Sequence, residues 1–281
     1  MNALATSVPP LSPAPTTCSR RSQPSSPATP PSPEYADPPL VISPAPDLLA
    51  TLHRLAELAV LKQELDNASM ASQTSKAAVL RVEYETNYRA IEQAISAWEP
   101  RLPFGYTLAN RIVDGPPDAS ETDVARARCD AGRALAYKHG ALVMLLRLSG
   151  AANTGTGTAQ VQEAVVRHAQ SAIWYCVAAS TTAGMQGPGD RSVSGAGLLW
   201  PLLLGASEVT EPRDRGMARQ AFSAVETAFR GSVNLGRAWE LVLEVWRRRD
   251  LAAVGDGQCP DPGSTGWRRV ADEMGVSLVF G

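Results

Sequence analysis

The residues of this 281-residue chain that could do chemistry are three histidines, four cysteines, two glycine-rich loops, one glycine–serine stretch and one arginine run. His53, His139 and His168 could serve as zinc ligands or proton carriers. They fall on three different predicted helices, and no HExxH or other close pair joins them, so each reads as a surface histidine or one satisfied within a core. Cys18, Cys129, Cys176 and Cys259 are scattered more than forty residues apart, which gives no metal-ligand spacing and suits a reduced, intracellular protein.

A serine nucleophile needs a sharp strand-to-helix turn of the GxSxG kind; Gly205-Ala206-Ser207-Glu208-Val209 departs from it and lies in a helical pattern. Gly155-Thr156-Gly157 and Gly195-Ala196-Gly197 each precede a helix whose free amides could bind an anion. Neither follows a strand or carries the Lys-Ser/Thr or GxGxxG pattern, so both read as linkers. No DDxxD run offers magnesium for a diphosphate. Arg247-Arg248-Arg249 beside Trp246 has the look of a nucleic-acid patch, yet residues 201–281 hold ten arginines against eleven acidic residues. The run therefore reads as a solvated helix end that compensates the macrodipole. No catalytic, metal-binding, cofactor-binding or DNA-binding residue is assigned on these grounds, and the partner-binding residues stay unknown.

Helices must position whatever these residues do. Residues 1–46 carry 13 of the 22 prolines with many serines and threonines, and read as a disordered tail that cannot bury enough surface to fold. Its Ser-Pro pairs at Ser12, Ser26, Ser32 and Ser43 could accept phosphate from proline-directed kinases. Residues 47–281 read as a single all-α, multi-helix domain. Asp47 caps a helix with a stripe of Leu48, Leu52, Leu55, Leu58, Leu61 and Leu65, by default core packing and otherwise a partner-binding face.

A second helix, about 75–99, places Leu80, Tyr84, Tyr88, Ile91, Ile95 and Trp98 on one side before Pro100 ends it. Residues 101–118 read as loop, with no convincing strand hairpin anywhere in the chain. Ser120 with Asp123 resembles a capping box that opens a helix to about Leu148, with Gly132 and Gly140 as places where it could break. Another starts near Thr158. Residues 197–250 then hold three helical patterns and three of the six tryptophans, so the main core is expected there; Pro201 marks a first turn or a kink. Residues 251–266 read as loop before a short helix with Trp267, Val270 and Met274.

A composition of 44% hydrophobic and 19% charged residues is ordinary for a globular chain. The formal charge of −2 and pI near 6.0 give no global attraction to nucleic acid or anionic membrane. No apolar run reaches the roughly 18 residues of a membrane helix. The expectation is a protein that is neither secreted nor membrane-bound.

Five stretches, in order, resemble the second type of fungal-specific transcription factor domain: 91–98 (IEQAISAW), 137–148 (YKHGALVMLLRL), 199–209 (LWPLLLGASEV), 234–250 (NLGRAWELVLEVWRRRD) and 267–280 (WRRVADEMGVSLVF). The resemblance covers roughly residues 85–281. It implies an all-helical regulatory fold, a nuclear location, a role in RNA polymerase II transcription and no enzymatic activity. Members of that family grip DNA through a basic, six-cysteine binuclear zinc cluster; four dispersed cysteines cannot build one, so zinc and DNA contact are not carried over. Either the chain is a truncated product of a longer zinc-cluster protein, or it regulates by pairing with intact relatives or co-regulators through helix faces such as the Leu48–Leu65 stripe. The alternative is a helical enzyme or small-molecule-binding protein of unrelated function.

Overall fold

Leucines at three- and four-residue steps share one side of a helix, and here they form α1 (Pro46–Met70). In the computed structural model, which describes residues 46–149, 157–185, 196–228, 233–254 and 266–278, α1 packs against α2 (Thr74–Ala97). Leu55, Leu58 and Leu65 are buried with Tyr84, Ile91 and Ile95 of α2 and with Ala141 and Leu145 of α3 (Glu121–Leu148). The buried part of the leucine stripe is therefore core. The expected tail lies outside the described residues, except that Pro46 opens α1.

Ser72 turns the chain between α1 and α2 at φ 55°. Gln73 N–H donates to the Ala68 carbonyl at 2.9 Å and Ser72 N–H to that of Ser69 at 3.1 Å, the Schellman pattern of hydrogen bonds at a helix end.

Within residues 101–118, expected to be loop, the chain forms an antiparallel hairpin of β1 (Thr107–Ala109) and β2 (Ile112–Asp114). Leu108 pairs with Val113, and the two turn residues, Asn110 and Arg111, both stand at positive φ, 50° and 70°. Two such residues are what a type I′ turn requires. The hairpin lies on α3, where Val113 is buried with Ala127 and Ala131.

Ser120 caps α3 as expected: its Oγ accepts from Asp123 N–H at 3.1 Å and donates to the Asp123 carboxylate at 2.6 Å. The helix runs unbroken through both glycines. Gly132 lies against Ala179 of α4 (Gly157–Met185), and Gly140 against Trp200 and Pro201 of α5 (Ala196–Glu208). A Cβ at Gly140 would meet Pro201 Cα at 3.2 Å, so this glycine seats the next helix. Alanine-rich neighbours keep the helix formed around both positions.

Antiparallel α3 and α4 make the largest contact, and α5 lies on them with α6 (Pro212–Ala228) and α7 (Val233–Val254) on its other sides. Pro201 stands inside α5, past its first turn. Every residue from Pro201 to Val209 is buried, and the core draws on α3, α4, α5, α6 and α7 together. The core is thus wider than residues 197–250. α7 continues four residues past Asp250, into a segment expected to be loop, and α8 (Trp267–Met274) closes against it.

Buried helix ends leave carbonyls that need donors, and neighbouring helices supply them. Lys138 on α3 donates to the Ser96 and Trp98 carbonyls at the end of α2, at 3.2 and 2.6 Å. Tyr84 on α2 returns its hydroxyl to the Leu148 carbonyl at the end of α3. Trp246 Nε1 donates to Ala206 O in the last turn of α5 at 2.9 Å.

A Cβ at Gly205 would come within 2.9 Å of the Ala169 carbonyl oxygen, whereas one at Gly216 would meet nothing within 4 Å. Gly205→Ala should therefore cost roughly 1–3 kcal/mol in urea unfolding. Gly216→Ala should be neutral or stabilising by up to about 1 kcal/mol.

Candidate functional site

Antiparallel α3 and α4 bring level those residues that stand at similar distances from their connection. His139 and His168 are such a pair. Their Nδ1 atoms are 3.0 Å apart, so one ring donates a proton to the other. His139 also stacks on Tyr175, with ring centroids 5.6 Å apart and planes inclined by 12°. Burial, then His168, Lys138 and Arg111, push the His139 pKa down to about 3. Burial first, then Arg167 and Lys138, also lower that of His168. The three histidines do lie on three helices, but two of them meet. His53 stays on the surface of α1 near Glu57. Among the described residues no group of three or more His, Cys, Asp or Glu is arranged to hold a metal ion.

Cys129 and Cys176 are buried on α3 and α4. Burial raises both thiol pKa values, that of Cys129 to about 11, and the Cys129 thiol donates to the Ala179 carbonyl at 3.4 Å. Two buried, protonated thiols of this kind do not fit a zinc–thiolate cluster. Cys18 and Cys259 lie outside the described residues, as do the Ser-Pro serines, Gly155, Thr156 and Gly195. Gly157 is the first residue of α4, while Ala196 and Gly197 open α5. Ser207 is fully buried inside α5, not presented at a turn.

The arginine run divides in a way its sequence does not show. Arg247 and Arg248 both reach Glu244 one turn back, at 2.7 and 2.8 Å, and Arg248 also pairs with Glu273 of α8. Their hydrogen bonds hold the Glu244 carboxyl down at about 2. Arg249 turns inward: it donates to the Ser207 carbonyl and, at 3.2 Å, to Glu208, which Arg147 of α3 also engages. Burial lowers the Arg249 pKa. The run is therefore not a solvated helix end, because α7 continues beyond it and its third arginine fastens α5. Beside it, Arg215 grips Asp250 with two hydrogen bonds of 2.8 and 2.7 Å and lies 5.1 Å from the Trp246 ring centre.

The hairpin roofs a cleft of about 210 Å³ over α3 and α4. Leu108 and Ile112 form its upper edge, and Leu135, Trp174 and Tyr175 form the floor. Two arginines line it. Arg128 is engaged with the Val113 carbonyl at 2.7 Å and with Asp114 at 3.3 Å. Arg111 has no hydrogen bond or ion pair among the described residues. None of this lining was singled out from the sequence.

A family model for the fungal specific transcription factor domain matches residues 8–281. The chain belongs to that family. No curated protein and no solved structure gives a significant match. The match begins far ahead of residue 85 and so takes in α1 and α2. The five resembling stretches fall on α2, α3, α5, α7 and α8, with residues 279–280 outside those described. Membership gives this transcription factor domain a role in transcription regulation, carried on a helical fold.

Two measurements follow from the site. His139 is protonated below about 6.5 when unfolded but resists protonation when folded, so the unfolded state binds more protons between about pH 6.5 and 3. Its contribution to stability is complete above that window and falls with pH inside it, at up to about 1.4 kcal/mol per pH unit. Chemical unfolding at pH 7.5, 6 and 5 should show this slope, flattened in His139→Gln. Arg249→Met should cost about 3 kcal/mol by leaving Glu208 half-paired. Adding Glu208→Gln should recover part of that loss.

Proposed function

We propose that this domain is the regulatory region of a zinc-cluster-type regulator of RNA polymerase II transcription, working in the nucleus without catalytic activity. The observation that carries the reading is the family match over residues 8–281. Its five motif stretches also build the helices of one packed fold. Among the described residues, no helix is long and apolar enough to cross a membrane, which suits that setting.

In this scheme DNA contact comes from another polypeptide or module. The described arginines of the Arg247–Arg249 run are engaged by Glu244, Glu273, Glu208 and the Ser207 carbonyl, and the described cysteines are free and buried. The domain then acts by pairing with related regulators or co-regulators through helix faces. Leu55, Leu58 and Leu65 are not available for that role while the fold is intact, whereas Val79 and Val82 of α2 stand exposed.

Fusion of the full chain to an unrelated DNA-binding domain in a fungal reporter strain tests the proposal. Reporter output should change severalfold against the DNA-binding domain alone, and a Gly205→Ala, Arg249→Met double variant should abolish the change by unfolding the domain. Output equal to that of the DNA-binding domain alone, with the fusion shown to be folded and nuclear, would sink it.

A further inference from the structure

Arg111 combines three properties. It occupies the second turn position of the hairpin at φ 70°, a conformation that side-chain-bearing residues rarely adopt. Glycine would take that position without strain. It has no hydrogen bond or ion pair among the described residues, so folding gains no internal partner for the strain it holds. And it lines a cleft walled mostly by aromatic and aliphatic side chains, on which Arg128 is already occupied by Val113 O and Asp114 and the Thr181 hydroxyl by Val177 O. Strained, unpartnered polar residues of this kind gather at ligand sites.

We infer that the cleft beneath the hairpin binds a small planar carboxylate, an aromatic acid of one ring, with Arg111 as the anchor for its carboxylate. Size sets the ring count: about 210 Å³ is below the roughly 300–1,000 Å³ of pockets for drug-sized ligands. Shape and polarity set the class. Trp174 and Tyr175 meet edge to face at 4.9 Å and leave aromatic surface on the floor, while Leu108 and Ile112 cover from above. Among the described residues no acidic side chain lines the cleft, and the positive charge of Arg111 already reaches its floor, where it works against the rise that burial imposes on the Tyr175 pKa. A guanidinium presents paired N–H donors that match a carboxylate, and it is favoured where water is partly excluded. The larger cleft of about 590 Å³ between α6 and α7 lacks this signature, since it carries both Arg219 and Glu226.

Binding of benzoate to the purified full chain, followed by titration calorimetry and by Trp174 fluorescence, tests the inference independently of any role in transcription. Benzoate should bind saturably, with benzyl alcohol and acetate each at least tenfold weaker. Arg111→Gly should abolish binding and raise the melting temperature, because it removes the anchor and relieves the turn. Arg111→Lys should retain part of the affinity. Absence of saturable binding by benzoate, phenylacetate and indole-3-carboxylate alike would overturn the inference. So would binding that survives Arg111→Gly in a folded protein, or that is lost in Phe222→Ala at the α6–α7 cleft instead.

Discussion

α5 has no face for solvent, and the rest of the domain is arranged to meet that fact. Leu198, Leu199, Leu202, Leu203 and Leu204 are all buried, and so are the small residues between them and the end of the helix. A helix so enclosed needs apolar partners on every side, which α3, α4, α6 and α7 supply. It also brings polar groups in with it. The Ala206 and Ser207 carbonyls and the Glu208 carboxylate lie at the end of the helix macrodipole where negative charge is least welcome. Trp246 and Arg249 of α7 and Arg147 of α3 answer them with N–H donors, so two of the four helices that enclose α5 also satisfy its polar end.

The same rule operates on a smaller scale between α2 and α3. Each helix ends beside the middle of the other, and each provides the donor the other lacks, Lys138 in one direction and Tyr84 in the other. Burial costs both side chains some of their usual ionisation behaviour: the Lys138 pKa falls and that of Tyr84 rises, first through desolvation in each case. Neither group reads as chemistry. They act as hydrogen-bond donors to helix ends.

Much of this was legible in the sequence because it depends on local pattern. The leucine stripe of α1, the Ser120–Asp123 cap and the apolar run of α5 each report on their own helix, and all were found where expected. What was missed depends on an unusual turn or on pairs far apart in the chain. The hairpin escaped notice because its turn is Asn110-Arg111, without the glycine that usually marks two residues at positive φ. Gly132 and Gly140 looked like breaks because their partners, Ala179 and Pro201, are many residues away. His139 and His168 could have been paired by counting outward from the glycine-rich turn between their helices. Nothing local distinguishes Arg249 from Arg247; only the position of α5 makes one internal and the other external.

The fastening of Glu208 by Arg147 and Arg249 has a bearing on how such a domain can be inherited. One of these arginines is made well before the acid and the other well after it. A transcript that stops before Arg249 would specify α5 and Arg147 but not the donor that binds both Glu208 and the Ser207 carbonyl. Through Glu208, helices α3, α5 and α7 are tied across the stretch from Glu121 to Val254.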